Sequence, residues 1–576
     1  MPSFRGALIC LAPLLLAACA GVGGAPQATV QEDDSGPGSA YGLFLAGEAA
    51  ADKGESAVAE GMFARAADAR DATDDTFLKG QAFTFALLAG DVQRAAQMAP
   101  QGPDDAHQLV ELGDLVRGVE DMAEGRGKPA EAELKAAEAG QATAIAGALL
   151  RPYAAAQAGD VELSIAQPVI SNQPIAEFFG SLDQGEMFER AHRYDEAETA
   201  YRALIGKGDP GGLASLRLGE MLERRGNTRQ AAAIYDDALA RIKDDSALTE
   251  ARARLAAGKP APPLPPLKRS AAEALMAPAS VFLMHKDEEA SLAYLRLALR
   301  LDPTRDEAWL MVGDALAATG DIAGARAAYE APKPSSSQYV VARMKLAWSY
   351  QNGGDKDQAL AVARATVTAD PKDNDAAINL ADLLRADEKY DESAAILDPL
   401  IAAQGAQPDW KLLYMRAVDY QESGRWSDAE RDLQRALLIR PDDPELLNFL
   451  GYSWIDRGER LNQALAMVQK AVDLNPQSGA MIDSLGWGYY RLGNYQKAVE
   501  KLEAAVALEP GDPDVNNHLG DAYWRVGRKL EARFQWARVL TLDPTAKLKT
   551  EVETKLKSGL DHSVGPAQVA DESHKP

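Results

Sequence analysis

Cysteine is nearly absent from this chain: Cys10 and Cys19 are its only two in 576 residues, both near the start. Beyond them no disulfide, thiolate nucleophile or cysteine metal site can form, so stability must rest on packing. Histidine is scarce as well, with His107, His192, His285, His518, His562 and His574 making up the six. None of them form a His-x-x-x-His pair. Glu189 and His192 have Glu-x-x-His spacing, which places both on one helix face. No second pair supplies further ligands, and the two read as solvated helix surface. Aromatics make up 6% of the chain, β-branched residues are sparse and alanine is abundant, a balance that favours helix over sheet. Basic charge is outweighed, 61 Lys and Arg against 86 Asp and Glu for a net charge of −25, which argues against a phosphate-binding surface. There is no G-x-S-x-G elbow and no P-loop. Gly206, Gly208 and Gly211 have G-x-G-x-x-G spacing but follow a helical pattern, which makes the segment an inter-repeat loop. Asp287, Glu288 and Glu289 read as a solvated helix start that suits the helix dipole. No residue is assigned a catalytic or metal-binding role, no cofactor is implied, and the chain reads as not an enzyme.

One positive charge at Arg5, an apolar run from Gly6 to Leu16 and the small residues Ala17 and Ala18 have the form of a secretory leader. The run is roughly half of the ~20 residues that span a bilayer. Leu16-Ala17-Ala18-Cys19 resembles the bacterial lipobox, in which the cysteine is acylated and becomes the new N-terminus. That resemblance implies a signal peptide over 1–19, lipid attachment at Cys19 and a place on the periplasmic face of the cell envelope. Ala20, where an Asp would retain the protein at the inner membrane, points to the outer membrane. Residues 20–39 are rich in Gly, Ala, Pro and Ser and read as a flexible tether.

Self-comparison shows a repeat. The small residues Gly313, Ala347, Ala381, Ala417, Gly451, Gly486 and Gly520 follow one another at intervals of 34, 34, 36, 34, 35 and 34. A second small residue comes about twelve positions later (Ala325, Ala359, Ala429, Ala464, Ala498, Ala532), and prolines such as Pro371, Pro441, Pro476 and Pro510 close many units. Small residues let two antiparallel helices approach. Leu485, Tyr489 and Leu502 fill the hairpin core, Gly493 and Asn494 suit the turn, and Pro510 stops the second helix. The N-terminal part repeats the signal faintly: Gly47 pairs with Ala59 and Phe63, Gly118 with Leu134, Gly185 with Tyr201 and Gly219 with Tyr235. Units near Phe83 and Pro152 are weak, since Pro152 should break a helix turn. The spacing predicts about six divergent units over 40–255 and about eight regular ones over 270–545. Five prolines between Pro260 and Pro266 favour a polyproline II strut, a spacer over 256–269 between two halves. Residues 546–576 read as a helix end and a polar tail.

The pattern resembles the tetratricopeptide repeat. The resemblance implies an all-α fold, a right-handed solenoid of helical hairpins in two halves, each hairpin covering the apolar face of the next. First helices then line the concave groove. Residues three before and one after the small residue point into it: Asn448 and Tyr452, Asp483 and Trp487, Asn517 and Asp521, with Tyr490 and Trp524 one turn on. Such a surface suits peptide backbone and apolar side chains, and Trp487 and Trp524 equally suit stacking between repeats. Tyr350, Tyr420, Trp454, Tyr489 and Tyr523 occupy the core tyrosine position. The run from Gly451 and Tyr452 through Asp483–Trp487 to His518–Gly520, Trp524 and Trp536, together with the lipobox, is similar to outer-membrane tetratricopeptide lipoproteins that partner periplasmic C-terminal processing proteases. That likeness implies an adaptor bringing such a protease to cell-wall hydrolases. Lipoprotein scaffolds of outer-membrane assembly or polysaccharide export are the alternative.

Overall fold

The computed structural model describes residues 39–69, 75–102, 105–140, 142–168, 174–243, 245–405 and 407–560. The leader, the lipobox with Cys19, the tether up to residue 38 and the tail from 561 lie outside the described residues. Among the described residues there are 30 α-helices and no strand, and no helix is long and apolar enough to cross a membrane. The helices pair into fourteen antiparallel hairpins, with Ser246–Ala256 and Ala546–Ser558 unpaired. They form two compact units, Met1–Ser349 and Tyr350–Pro576.

The small residue of each first helix works by steric fit. In most hairpins it faces the large side chain sixteen positions on, at the middle of the second helix, though Gly451 meets Val468, seventeen on. A Cβ at Gly219 would lie 2.2 Å from the Tyr235 ring, one at Gly313 2.3 Å from Tyr329 and one at Gly185 2.5 Å from Tyr201. Further along the chain the same relation pairs Gly486 with Leu502 and Gly520 with Trp536. Turns close with glycine at positive φ, such as Gly493 at 79°, and the Asn494 side chain then caps the helix Tyr495–Leu508 by accepting from Lys497 N. Between Lys207 and Leu213, Gly208 and Gly211 take positive φ. Buried Asp209 accepts from Ala214 N and Ser215 N at 2.9 Å each, so this glycine-rich stretch is a loop that starts a helix.

Several expectations for the first unit are corrected. Pro152 does not break its helix, which runs from Ala144 to Ala158 with the ring buried. One lost hydrogen bond is outweighed there by complete burial of Leu149, Leu150, Tyr153 and Ala154. Glu189 is not on a solvated face; it is buried and accepts from Arg224 Nε and Nη2 at 2.8 and 3.0 Å. His192, at the turn with φ 60°, is exposed and contacts Tyr194 Oη at 2.9 Å.

The largest correction concerns the proline segment and the hairpin behind it. Residues 258–266 are free of helix and strand, and Pro266 has φ −53° and ψ 144°, the polyproline II region. The segment is clasped rather than free: Arg190 donates to the Pro265 carbonyl at 2.5 Å and Arg224 to that of Pro262 at 2.9 Å. The next hairpin, Leu267–Met284 with Glu288–Leu301, packs back across the first helices Asp75–Ala89, His107–Glu124, Ala144–Ala158 and Pro174–Arg190. Arg300 bonds both oxygens of Glu120 at 2.7 and 2.8 Å, Arg296 donates to Leu88 O at 3.0 Å and Tyr294 to Ala142 O at 2.6 Å. Helix Glu288–Leu301 is buried on all sides, through Leu292, Leu295, Leu297 and Leu299. A helix apolar all round belongs in a core, so this hairpin forms the inner filling of the N-terminal unit, and the compact units part at Ser349 and Tyr350, not at the prolines.

Candidate functional site

The eight groove residues expected from the sequence all lie on first helices of the second unit: Pro444–Arg457, Gly479–Arg491 and Pro513–Arg525. Their surroundings divide them into two groups.

Asn517, Asp521 and Trp524 are covered by the chain's own last helix, Ala546–Ser558. Its Lys555 reaches inward and donates to Asn517 Oδ1 and Asp521 Oδ2, at 2.9 Å each. The other oxygen of Asp521 accepts from Trp536 Nε1 at 3.0 Å. Gly559, at φ 76°, lies flat on the Trp524 ring, where a Cβ would come within 2.0 Å of Cζ2. Lys529 Nζ sits 3.6 Å from the centre of the same ring. The polar groups of this end are spent within the chain.

The second group is held by contacts within its own repeats and with the next one. Asp483 is buried and accepts from His518 Nδ1 of the next repeat at 2.9 Å. Burial alone favours the neutral imidazole, but Asp483 beside it outweighs that and raises the pKa of His518 above the usual histidine value. The Trp487 ring lies between Tyr490, 4.6 Å away and 8° from parallel, and His518, 4.3 Å away at 17°. Burial with nearby Asp521 pushes the Tyr490 hydroxyl up to about 12, and it accepts from Arg525 Nε at 3.2 Å. Tyr452 is half-buried, its hydroxyl pushed up by burial and by Asp456, Asp483 and Asp514.

First helices are tied to one another by a polar ladder across the repeats. Arg385 donates to Asp419 at 2.8 Å, Ser453 to Gln421 at 2.8 Å, Arg491 to Asp456 O at 2.6 Å, and His518 and Lys555 continue the series. Not every group finds a partner. Gln351 Oε1, Arg385 Nη2, Asn448 Oδ1 and Trp487 Nε1 are buried without one. Two are acceptors and two are donors, all on first helices. Gln351 and Arg385 escaped the sequence reading, although both stand four positions after the small residues Ala347 and Ala381, the register that picked out Tyr490 and Trp524. Among the described residues no group of three His, Cys, Asp or Glu side chains is placed to hold a metal ion.

The family model described as tetratricopeptide repeat matches residues 182–247, 344–408, 414–479 and 484–547. These segments are tetratricopeptide repeats. A TPR repeat-containing protein of Pseudomonas aeruginosa is 36% identical over 98 residues, 17% of this chain and 17% of its own. The bovine BBSome complex member BBS4 is 32% identical over 101 residues, 18% of this chain and 19% of its own. The chain thus spans less than a fifth of the length of either relative. Among solved structures, a tetratricopeptide repeat protein from Parabacteroides merdae is 14% identical and covers 44% of this chain and 97% of its own, with a TM-score of 0.38. Tetratricopeptide repeats are protein-binding scaffolds in general, and their first helices here carry the ladder and the unpartnered groups just described.

Proposed function

We propose that this protein is a non-enzymatic scaffold that holds a segment of another protein along the first helices of its second unit. The observation that carries this reading is the row of Gln351, Arg385, Asn448 and Trp487, whose buried donors and acceptors lack partners. A buried polar group without a partner costs about 1–3 kcal/mol, and an extended peptide backbone offers alternating N–H and C=O groups that relieve such a deficit. Half-buried Tyr452 and Trp487 supply the apolar contact.

The narrower reading places the scaffold on the periplasmic face of the outer membrane, anchored through lipid on Cys19. There it acts as an adaptor for a C-terminal processing protease and its cell-wall hydrolase substrates. Its contribution is effective concentration and orientation. Support for this part comes from the resemblance of the lipobox and of the 451–536 run.

The test is photocrosslinking from position 452 in intact cells, with membrane fractionation of Cys19→Ser alongside. Expected are a protease or hydrolase crosslinked at 452 and release of the Cys19→Ser protein into the soluble fraction. Crosslinks only to export or barrel-assembly proteins would replace the adaptor role by the assembly alternative. No protein crosslinked at all would end the groove reading.

A further inference from the structure

The inner hairpin does not fill the N-terminal unit completely. A cavity of about 400 Å³ remains between helix Asp75–Ala89, the start of helix His107–Glu124 and the first turns of helix Glu288–Leu301. Its walls are largely apolar: Phe77, Leu87, Leu109 and Leu112 on one side, Ala290 and Ala293 on the other. The cause lies in the sequence of the inner helix. It presents two alanines here, whereas one turn on it presents Leu297 and the long arms of Arg296 and Arg300.

Close-packed interiors hold few voids larger than a water molecule, and this volume falls in the range of about 300–1,000 Å³ typical of small-molecule sites. Its polar groups are few, and the charged ones among the described lining residues are carboxylates. Asp105 is held in place, its Oδ2 accepting from Gln101 N and Gly102 N at 3.0 and 2.6 Å, which leaves Oδ1 for a ligand. Glu289 adds a second carboxylate, and Gln81 and Gln108 add amides. Among the described residues no Lys, Arg or His lines the cavity.

We infer that this cavity is a binding site for a small amphiphilic cation, a molecule with an apolar body for the leucine and phenylalanine wall and an amine or other cationic head for Asp105. The opposite sign is disfavoured, because an anionic head would meet the Asp105 carboxylate, and among the described residues no Lys, Arg or His lines the cavity to offset it. This site is separate from the groove of the second unit and does not depend on the function proposed for it.

The test is isothermal titration of the full chain carrying Cys19→Ser, so that no attached acyl group competes, with decylamine, decanol and decanoate below their micelle concentrations. Expected is saturable one-to-one binding of decylamine, at least ten-fold tighter than decanoate. Asp105→Asn should weaken decylamine at least ten-fold and leave decanol unchanged. Ala293→Phe, which fills the cavity, should abolish both. Should Ala293→Phe fail to fold, Asp105→Asn still decides the matter, since its amide oxygen can keep the two backbone contacts. No saturable binding, equal affinity for amine and carboxylate, or affinity indifferent to Asp105→Asn would each overturn the inference.

Discussion

Lys555 Nζ lies 2.9 Å from Asp521 Oδ2, and both side chains are buried. The last helix is thereby fixed to the last repeat by a charge pair shielded from water. Removing one member of such a pair leaves the other desolvated and alone, at about 3–5 kcal/mol. Lys555→Met should therefore destabilise the second unit by that order in urea unfolding. Adding Asp521→Asn should recover much of the loss, because the amide oxygen still accepts from Trp536 Nε1 while the lone charge is gone. Equal stability of the single and double variants would mean the pair is not what fixes the helix.

The pair of Asp483 and His518 makes the same end of the protein sensitive to pH. His518 has its pKa raised in the folded state, with burial opposing and Asp483 favouring the charged ring, helped by Asp521 and Asp514. A histidine raised on folding contributes stability that is fully present below its unfolded value, about 6.5. That contribution is lost as pH climbs through the folded value. The second unit should accordingly melt at lower temperature as pH rises from below 6.5 into the alkaline range. Asp483→Asn should flatten this slope, measured as Tm against pH. An unchanged slope in that variant would remove His518 as its source.

Much of this was readable in the sequence because it is steric. A glycine sixteen residues before a Tyr, Leu or Trp, as at Gly219 and Tyr235 or Gly520 and Trp536, marks a hairpin whatever surrounds it. The groove was legible only in register. Counting from Gly520 places Asn517 and Asp521 on the right face, but it cannot say that Lys555, in a helix lacking the repeat pattern, will occupy them. The inward fold of residues 267–301 did leave a signal. Other second helices, such as Tyr495–Leu508, carry Lys497, Glu500 and Lys501 on an outer face, whereas the same positions of Glu288–Leu301 hold the buried Ala290, Ala293 and Tyr294. Hydrophobicity on every side excludes an ordinary repeat, and repeat spacing alone conceals it.

Asp183 is a cost the first unit carries. Its Oδ2 is shut off from water. The carboxyl pKa is raised well above the usual value, first by burial and then by Glu186 and Glu273, with Tyr153 and Arg217 opposing. A raised acid works against folding once it must ionise. Stability falls as pH climbs from the ordinary aspartate value, about 3.9, until the folded value is passed. Asp183→Asn should stabilise the first unit at neutral pH, since the amide has no charge to form inside the fold. It should also reduce the decline in Tm between pH 4 and neutrality. Calorimetry of both proteins across that range checks it, and a variant less stable than the parent at pH 7 would show that the carboxylate is needed there.

Leu297 separates the two ways of dividing the chain. It is completely buried in the inner helix, and by position in the sequence it belongs to the regular repeats, yet its helix packs against the N-terminal first helices. Leu297→Ala should cost about 2–5 kcal/mol through lost burial and the space left behind. Where that loss is felt is the informative part. If the hairpin is the core of the first unit, amide hydrogen exchange should quicken across 107–124 and 144–158, more than a hundred residues earlier in the chain. Exchange across 410–540 should hold its original rate. Were the effect instead confined to 306–369, the nearest repeats in sequence, the hairpin would be an ordinary member of the array and the N-terminal helices would be standing without it.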